Sequence, residues 1–285
     1  MSLSGLLDQA TSRFEVAGIE SARVDAELLA GFILGYSRGE LQSVLIADTA
    51  KPTPQQLETL EFLFARREAR EPLQHLTGEA HFRNITLKVG KGVFVPRPET
   101  EWVTQFAVDA TKAAAVAEPL VFDLCAGSGA IGLAIASEVA NARVIGIEKS
   151  TDAFAFTRAN YEAIAPNNGT AILGDLSEAS SDFDGLVDVV ISNPPYIPDQ
   201  MVPVYPEVAL HDPGLALYGG NDGLDVVRVV SQTAKRLLHE GGTLVIEHAD
   251  MQGEAVRHLL LSDGWRQVRT HQDFNGRDRT ATAIR

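Results

Sequence analysis

Hydrophobic and polar positions over the first 70 residues follow the spacing of amphipathic helices. Apolar side chains recur three and four positions apart in three stretches, as at Leu3, Leu6, Leu7 and Ala10. This is the period of a helix that buries one face, and glycine or proline residues separate the stretches. The pattern predicts a small bundle of about four helices, which we assign to residues 1–75.

Strict alternation replaces the helical spacing after residue 80. Phe82, Ile85 and Leu87 are apolar and have polar neighbours, which is typical of short strands with one buried face. Glycines and prolines follow closely, and such residues mark turns. We therefore expect residues 76–98 to form a β-hairpin and a linker.

Short apolar runs alternate with longer amphipathic stretches over residues 99–285. The predicted strands cover residues 120–124, 142–147, 170–173, 187–192, 243–247, 265–271 and 279–285. The predicted helices cover residues 102–116, 130–139, 152–164, 224–238 and 253–261. Continuous apolar runs are typical of parallel strands buried on both faces, and their alternation with helices predicts helices on both sides of the sheet. The last two strands, joined by a turn at Asn275 and Gly276, would add an antiparallel hairpin to this α/β domain.

The composition is that of an ordinary globular protein. Of the 285 residues, 45% are hydrophobic and 22% are charged, so a sizeable core is expected. No apolar run reaches the roughly 20 residues that span a membrane, and the first residues lack the basic start and apolar block of a signal peptide. Cys125 is the single cysteine, which fits a reducing compartment. These features predict a cytoplasmic protein without a membrane segment.

The net charge is −14, and most of the excess acid lies in residues 96–285. Proteins that bind nucleic acids usually display a basic face, and this part of the chain would repel phosphate. The charge therefore argues against a nucleic-acid partner and suits a basic protein partner.

A glycine-rich turn follows the first predicted strand of the α/β domain, directly before a helix. It consists of Cys125, Ala126, Gly127, Ser128 and Gly129. Glycine lets the backbone approach a ligand, and a helix N-terminus offers free N–H groups and positive potential. The turn is shorter than the G-x-G-x-x-G turn of dinucleotide enzymes, which disfavours a dehydrogenase. It fits a ligand with a carboxylate, such as the methionine end of S-adenosylmethionine.

Acidic residues end or follow the next two predicted strands. Glu148 lies where a carboxylate can accept both hydroxyls of a ribose. Asp175 is expected to accept the adenine amino group, and Leu176 is expected to pack on the adenine ring. The carboxyl ends of parallel strands share one edge of the sheet, where open α/β sheets bind ligands, so the sequence predicts a nucleoside site at this edge.

The fourth predicted strand ends in Asn193, Pro194, Pro195 and Tyr196. Proline fixes φ and pushes the preceding residue to extended geometry, so this loop is expected to be stiff. The Asn193 side chain and the Pro194 carbonyl would accept the two N–H groups of a planar –NH2 substrate, and Tyr196 would stack on its flat face. Such positioning aims a poor nucleophile at the methyl donor. We assign catalysis to Asn193, Pro194 and Tyr196, and we expect no metal site.

The loop by itself leaves the substrate open. A side-chain amide and the exocyclic amine of a flipped adenine or guanine present the same group to it, although a nucleic acid would require a basic approach face. A cofactor-binding module without catalysis would lack Asn193 or one of the prolines, and all are present.

Four further blocks of sequence help to decide between a side-chain amide and a nucleic-acid base as the substrate. They are Arg70-Glu71-Pro72-Leu73-Gln74-His75-Leu76-Thr77-Gly78-Glu79, Phe94-Val95-Pro96-Arg97-Pro98-Glu99-Thr100-Glu101, Leu217-Tyr218-Gly219-Gly220-Asn221-Asp222-Gly223-Leu224-Asp225 and Gly241-Gly242-Thr243-Leu244. With these blocks the chain resembles, over nearly its whole length, the HemK/PrmC family of peptide chain release factor glutamine methyltransferases. The Asn-Pro-Pro-Tyr loop alone is shared with DNA and RNA amino-methyltransferases.

The resemblance implies a Rossmann-like class I S-adenosylmethionine methyltransferase domain, with a mostly parallel seven-stranded sheet, after a helical N-terminal bundle. It implies methyl transfer from S-adenosyl-L-methionine to the N5 amide of the glutamine in the Gly-Gly-Gln motif of class-I release factors, which leaves S-adenosyl-L-homocysteine. The release factor would be the partner, residues 1–75 would help to bind it, and we expect a monomer.

The resemblance also implies roles for individual residues. Residues 193–196 would hold the substrate glutamine, with Pro195 as part of the same rigid loop. Phe94 and Arg97 would line the entrance of the active site or brace the junction before the catalytic domain. The cofactor contacts would fall to residues 125–129, Glu148, Leu176 and Asn193.

Overall fold

The computed structural model describes residues 2–178 and 181–285. They form two compact units, each described separately below. The first consists of residues 2–79 with Val204–His211, and the second of Ala80–Pro203 with Asp212–Arg285. None of the helices in the described parts of the chain has the length and apolar character needed to span a membrane.

Helices build the first unit. They are α1 (Leu3–Val16), α2 (Ala22–Leu34), α3 (Arg38–Ile46), α4 (Pro54–Glu68) and the short α5 (Leu73–Thr77). Capping explains two of the helix starts, because Ser37 and Thr53 each form a capping box with the residue three positions on, and such caps satisfy the free N–H groups of a first turn. The fully buried Phe14 and Phe64 meet edge to face at 5.9 Å in the core of this unit.

The second unit alternates strands and helices. Its strands are β1 (Glu79–Phe82), β2 (Ile85–Lys88), β3 (Leu120–Leu124), β4 (Arg143–Glu148), β5 (Gly169–Leu173), β6 (Val187–Ser192), β7 (Leu238–Glu247), β8 (Arg266–Gln272) and β9 (Asp278–Ile284). The helices of this part of the chain are α6 (Pro98–Ala113), α7 (Ala130–Glu138), α8 (Thr151–Ile164), α9 (Pro206–His211), α10 (Gly214–Leu217), α11 (Asp225–Leu237) and α12 (Gly253–Ser262). Of these, α9 lies in the segment that clusters with the first unit.

Seven strands form one sheet in the order β5-β4-β3-β6-β7-β9-β8. Strands β3 to β7 run parallel, and β9 pairs antiparallel with both β7 and β8. Strands β1 and β2 form a separate two-stranded sheet. The predicted fold, a mostly parallel seven-stranded sheet that ends in an antiparallel hairpin, is confirmed.

Alternate residues of the central strands feed two apolar cores. On β3, Val121 packs into a cluster with α6, α7 and α8, whereas Phe122 and Leu124 pack into a cluster with α11 and α12. Successive side chains of a strand point to opposite faces, so a sheet covered on both sides needs apolar residues at nearly every position. This explains the continuous apolar runs of the sequence.

Several element boundaries differ from the sequence-based expectation. Helix α6 begins four residues before the predicted start, because Pro98 is compatible with the first turn of a helix and Glu99 and Glu101 favour its N-terminus. Strand β7 begins at Leu238, which pairs with Val187 before a register shift, so α11 ends earlier than expected. Residues 2–70 contain four helices, α1 to α4, as the sequence predicted, and the short α5 follows at Leu73–Thr77, where no helical period was recognised.

Ion pairs attach α9 to the helices of the first unit. The Glu207 carboxylate binds Arg67 at 2.9 Å and Arg70 at 2.5 Å, and Arg67 also binds Asp25 at 2.8 Å. All four side chains are largely buried. Charges withdrawn from water require such pairing, so these contacts hold the segment on the bundle. The sequence shows no helical period over this short segment.

Candidate active site

The turn between β3 and α7 adopts left-handed backbone conformations. Cys125, Gly127 and Gly129 have φ angles of 67°, 57° and 85°. The Ala126 N–H donates to the Ile147 carbonyl at 2.9 Å, which ties the turn to β4. Within the described residues, a Cβ added at Gly127 would meet no atom within 4 Å. The space beside the Gly127 Cα is therefore open, and the role of the turn in ligand binding stays a prediction.

Helix α8 fixes the same turn through two side chains that the sequence analysis did not single out. The Thr157 hydroxyl donates to the Gly127 carbonyl at 2.5 Å. The Asn160 amide donates to the carbonyls of Ser128 and Lys88, both at 2.9 Å. Both side chains are buried. Thr157 and Asn160 lie one helical turn apart, a spacing that the sequence shows. It does not show that α8 packs against the glycine turn, so their role could not be predicted.

Glu148 ends β4 beside the glycine turn. Its Oε2 accepts the Gly127 N–H at 2.8 Å, and its Oε1 accepts the Ser150 N–H at 2.7 Å. Burial raises the pKa of the Glu148 carboxyl, and the backbone N–H groups of Ser150 and Gly127 oppose that rise. Each carboxylate oxygen has a second lone pair, so Glu148 retains acceptor capacity for two hydroxyl groups.

Asp175 and Leu176 follow β5, two strands away from β3. Asp175 pairs with Lys149 at 2.8 Å and accepts the N–H and hydroxyl of Ser177. The side chain of Lys149, followed by Ser177, lowers the pKa of Asp175 to about 2. Leu176 is 8% exposed and packs into the core on the α11 side of the sheet. Asp175 is thus an ionised acceptor at the predicted edge, while most of the Leu176 side chain contacts protein.

The thiol of Cys125 lies at the same edge. Burial, with Glu148 as the next contributor, raises its pKa to about 12. A thiol with so high a pKa stays protonated near neutral pH and is a weak nucleophile. Cys125 is therefore a small lining residue of the turn, and its contact with a cofactor stays a prediction.

Asn193 follows β6, the neighbour of β3 in the sheet. Its Nδ2 donates to the Thr100 hydroxyl of α6 at 3.3 Å. No donor in residues 2–178 and 181–285 bonds to the Asn193 Oδ1 or to the Pro194 carbonyl. The two predicted acceptors of the loop are thus unengaged by the described part of the protein, and the amide NH2 of Asn193 is turned away toward α6.

Tyr196 is held from two sides. Its hydroxyl donates to Glu247 Oε1 at 3.2 Å, and its carbonyl accepts the Gln252 side-chain amide at 2.9 Å. Burial and the neighbouring Glu247 raise the pKa of the Tyr196 phenol well above its ordinary value. The Tyr196 phenol therefore stays protonated and donates a hydrogen bond to Glu247.

The Gly219–Gly223 stretch packs directly on the backbone of the Asn-Pro-Pro-Tyr loop. A Cβ at Gly219 would lie 2.6 Å from the Pro195 carbonyl oxygen, and one at Gly223 would lie 2.2 Å from the Tyr196 carbonyl oxygen. Gly223 also has a φ of 75°, which side chains disfavour. Only glycine fits both positions, so this block of sequence acts as a support for the loop.

Phe94 and Arg97 precede α6. The Arg97 guanidinium lies 4.8 Å from the centre of the Phe94 ring and binds the buried Asp212 at 2.6 Å. Three residues later, Thr100 contacts Asn193. The structure thus places both predicted substrate residues next to the helix start that supports the loop, with the Arg97 charge already paired.

The geometry above is that of an α/β methyltransferase, and comparisons with known proteins agree. Two family models match the chain: the PrmC N-terminal domain over residues 5–78 and the methyltransferase small domain over residues 84–205. The release factor glutamine methyltransferase of Streptomyces coelicolor is 50% identical over 277 residues, which cover 96% of this chain and 95% of that protein. Its counterpart in Bifidobacterium longum is 41% identical over the full length of both.

The chain therefore belongs to the release factor glutamine methyltransferase family, and the family predicted from its motifs is confirmed. A relative with a different name is also similar: the 4-amino-L-phenylalanine/4-methylamino-L-phenylalanine methyltransferase of Streptomyces pristinaespiralis is 38% identical over 290 residues, which cover 99% of this chain and 95% of that protein.

Proposed function

We propose that this chain transfers the methyl group of S-adenosyl-L-methionine to the N5 amide nitrogen of the glutamine in the Gly-Gly-Gln motif of class-I peptide chain release factors. One observation carries the proposal beyond family membership. Asn193 Oδ1 and the Pro194 carbonyl, two adjacent acceptors on one rigid loop, accept no hydrogen bond from the described residues. Two acceptors match the two N–H bonds of a primary amide.

The cofactor site is proposed at the edge formed by the glycine turn, Glu148 and Asp175. The open space beside Gly127 and the spare lone pairs of Glu148 fit the methionine and ribose ends of the cofactor. Ionised Asp175 would accept from the adenine amino group, and Leu176 would contribute the exposed part of its side chain to the ring. When bound, S-adenosyl-L-methionine supplies the electrophilic methyl group.

The residues of the chain would act on the glutamine amide by positioning and by fixed dipoles. The amide nitrogen is a poor nucleophile because its lone pair is delocalised. Asn193 Oδ1 and the Pro194 carbonyl would bind its two hydrogens and stabilise the positive charge that develops there. As the bond to nitrogen forms, the bond from the methyl group to sulfur breaks and leaves S-adenosyl-L-homocysteine, and one of the two nitrogen protons leaves to water after the transfer. Tyr196 would pack on the flat amide, and Pro195 keeps the loop stiff. Orientation of this kind contributes up to about 7–11 kcal/mol to catalysis.

The helical residues 1–75 are proposed to help bind the release factor, and Phe94 and Arg97 to border the entry of its glutamine. The net charge of −14 favours a partner with a basic surface. A protein substrate presents the glutamine on a loop, which can reach acceptors beside a sheet edge.

The test is methyl transfer from labelled S-adenosyl-L-methionine to three substrates offered separately: a class-I release factor, duplex DNA and 4-amino-L-phenylalanine. We expect label on the release factor and its loss when the glutamine of the Gly-Gly-Gln motif is replaced by alanine. Label on DNA or on the free amino acid, with none on the release factor, would contradict the proposal.

A variant pair connects the activity to the loop. Asn193→Ala should lower the turnover number by about 100-fold or more, because a positioned acceptor is lost, while S-adenosyl-L-homocysteine still binds. Asn275→Ala is the matched control, because this asparagine lies exposed in the turn between β8 and β9. Equal turnover in both variants would remove Asn193 from the reaction.

A further inference from the structure

Thr100 lies behind the Asn-Pro-Pro-Tyr loop, in the first turn of α6. It is 3% exposed, and its hydroxyl oxygen accepts the Nδ2–H of Asn193 at 3.3 Å. Its backbone carbonyl accepts the Thr104 hydroxyl at 2.7 Å, which fixes the helix at this point. The Thr100 hydroxyl is therefore a buried contact of the side chain that faces the substrate.

Glu247 lies on the other side of Thr100. It ends β7, the neighbour of β6, and is 2% exposed. Its Oε1 accepts the Tyr196 hydroxyl at 3.2 Å, and the nearby Thr100 hydroxyl lowers the pKa of the carboxyl group, against the larger effect of burial. Within the described residues Glu247 Oε2 is buried and accepts no hydrogen bond, so this oxygen is available to accept the Thr100 proton.

The donor and acceptor properties of the Glu247 carboxylate, the Thr100 hydroxyl and the Asn193 amide determine which group donates to which. An ionised carboxylate only accepts hydrogen bonds, whereas a hydroxyl donates one and accepts others. With its proton toward Glu247, Thr100 presents lone pairs to Asn193, so the NH2 of the asparagine must face Thr100. The Oδ1 of Asn193 then points to the opposite side, where an acceptor is needed.

We propose that Thr100 and Glu247 are positioning residues of the methyl transfer: together they select the orientation of the Asn193 amide and of the Tyr196 ring. The inference rests on the proposed function, in which Asn193 accepts from the substrate amide. The oxygen and NH2 ends of the Asn193 amide have nearly the same shape. Without Thr100, nothing in the proposed network selects one orientation, and a flipped Asn193 would present its NH2 to the N–H groups of the substrate amide.

The first test compares turnover of Thr100→Val, Thr100→Ser and Thr111→Val with the wild type. Valine keeps the shape and removes the hydroxyl, and serine restores the hydroxyl. Thr111 is the matched control, because it is buried on the same helix and its hydroxyl donates to the Ala107 carbonyl. We expect Thr100→Val to lower kcat on the order of 10- to 100-fold, with serine restoring most of it and Thr111→Val remaining near wild type.

The affinity for S-adenosyl-L-homocysteine shows whether Thr100 positions Asn193 or contributes to cofactor binding. We expect S-adenosyl-L-homocysteine to bind Thr100→Val and the wild type with similar Kd values in calorimetry, so that the loss lies in kcat. Glu247→Gln should also lower kcat, because an amide at this position can turn its NH2 toward either hydroxyl. An unchanged kcat in Thr100→Val, or an equal loss in Thr111→Val, would overturn the proposal.

A second measurement needs no substrate. In ¹⁵N-labelled protein, the side-chain amide signal of Asn193 can be identified by its loss in Asn193→Ser. We expect its hydrogens to exchange with water about fivefold faster in Thr100→Val, the factor expected from the loss of one ordinary hydrogen bond, and to be unchanged in Thr111→Val. If the wild type fails to methylate the release factor, the proposed function fails, whereas unchanged exchange in Thr100→Val would overturn the positioning role itself.

Discussion

The carboxylate of Glu148 accepts the backbone N–H of Gly127 at 2.8 Å, which joins the end of β4 to the glycine turn after β3. The same carboxylate accepts the Ser150 N–H at 2.7 Å, in the cap of α8. Glu148 therefore shapes the turn as well as offering lone pairs to a ribose. Its removal should affect both the geometry and the chemistry of the cofactor site.

We expect Glu148→Ala to weaken the affinity for S-adenosyl-L-homocysteine at least tenfold. The change removes the predicted acceptors of two hydroxyls, and hydrogen bonds to a charged group contribute about 1.5–3 kcal/mol each. It also leaves two backbone N–H groups without their partner. Isothermal titration calorimetry on the purified variant measures the effect directly.

Glu162→Ala is the control, since Glu162 lies exposed on α8 at 3.9 Å from Arg158. It should bind the product with the affinity of the wild type. If Glu148→Ala also binds as the wild type does, the ribose assignment of Glu148 is wrong.

Gly223→Ala should damage the catalytic loop. A Cβ at this position would lie 2.2 Å from the Tyr196 carbonyl oxygen, so the Asn-Pro-Pro-Tyr loop must move to make room. A displacement on this scale lowers turnover by about 100-fold when it misaligns reacting groups. The measurement is kcat on the release factor, together with the thermal unfolding midpoint.

Gly276→Ala separates backbone strain from displacement of the loop. Gly276 has a φ of 72°, close to the 75° of Gly223, but an added Cβ would meet nothing within 4 Å. Both variants therefore introduce the left-handed strain of about 1 kcal/mol, and only Gly223→Ala should lose kcat. Equal kcat values in the two variants would show that the close approach at Gly223 is unimportant for catalysis.

The fold and the main motifs were predictable because their signals are local. A buried parallel strand such as Val187–Ser192 is apolar at nearly every position, and the turn after β3 and the two prolines after Asn193 show directly in the sequence. The rule that parallel strands end at one sheet edge then brings these motifs together. Helices α9 and α10 were missed because they are too short to show a period.

The supports of the site were not predictable in the same way. Thr100 and Asn193 are far apart in the chain, and their contact depends on how α6 packs against β6. The role of Gly223 follows from a 2.2 Å approach that no spacing reveals. Glu247 was partly predictable from the sequence. It ends β7, a parallel strand next to β6, just as Glu148 ends β4, so the rule that ligands bind at the carboxyl ends of parallel strands could have selected it.

Turnover should rise with pH through about 7 in the wild type. Burial raises the pKa of Glu247 to about 7, although Thr100, Arg279 and Tyr196 lower it and Glu99 opposes them. Below this pH the carboxyl is protonated and can act as a donor, which disturbs the direction of the hydrogen bonds to Thr100 and Tyr196. The measurement is kcat at saturating substrate between pH 5.5 and 8.5.

Glu247→Gln tests whether that rise belongs to Glu247. The variant carries no titrating group at this position, so its remaining kcat should depend less on pH across the same range. A profile that keeps the wild-type shape and midpoint would assign the titration to another group.

The stability of the fold should also depend on pH, through Asp123 at the end of β3. Asp123 is fully buried, and burial raises its pKa from 3.8 to about 7, while the N–H of Gly132 opposes the rise. Because the pKa of the folded state lies above that of the unfolded state, the protonated carboxyl contributes stability that is complete below about pH 3.8 and is lost as the pH rises through about 7. Between pH 5 and pH 8 this loss is on the order of 2–3 kcal/mol.

Asp123→Asn should remove that loss, because a neutral amide still accepts the Gly132 N–H, which the carboxylate now accepts at 2.9 Å. We expect the free energy of unfolding of the variant, minus that of the wild type, to increase as the pH rises from 5 to 8, because only the wild type loses stability in this range. Urea unfolding at the two pH values measures the change, and Glu247, whose pKa is also raised to about 7, is present in both proteins and cancels. A difference between variant and wild type that is the same at both pH values would mean that Asp123 does not titrate in this range.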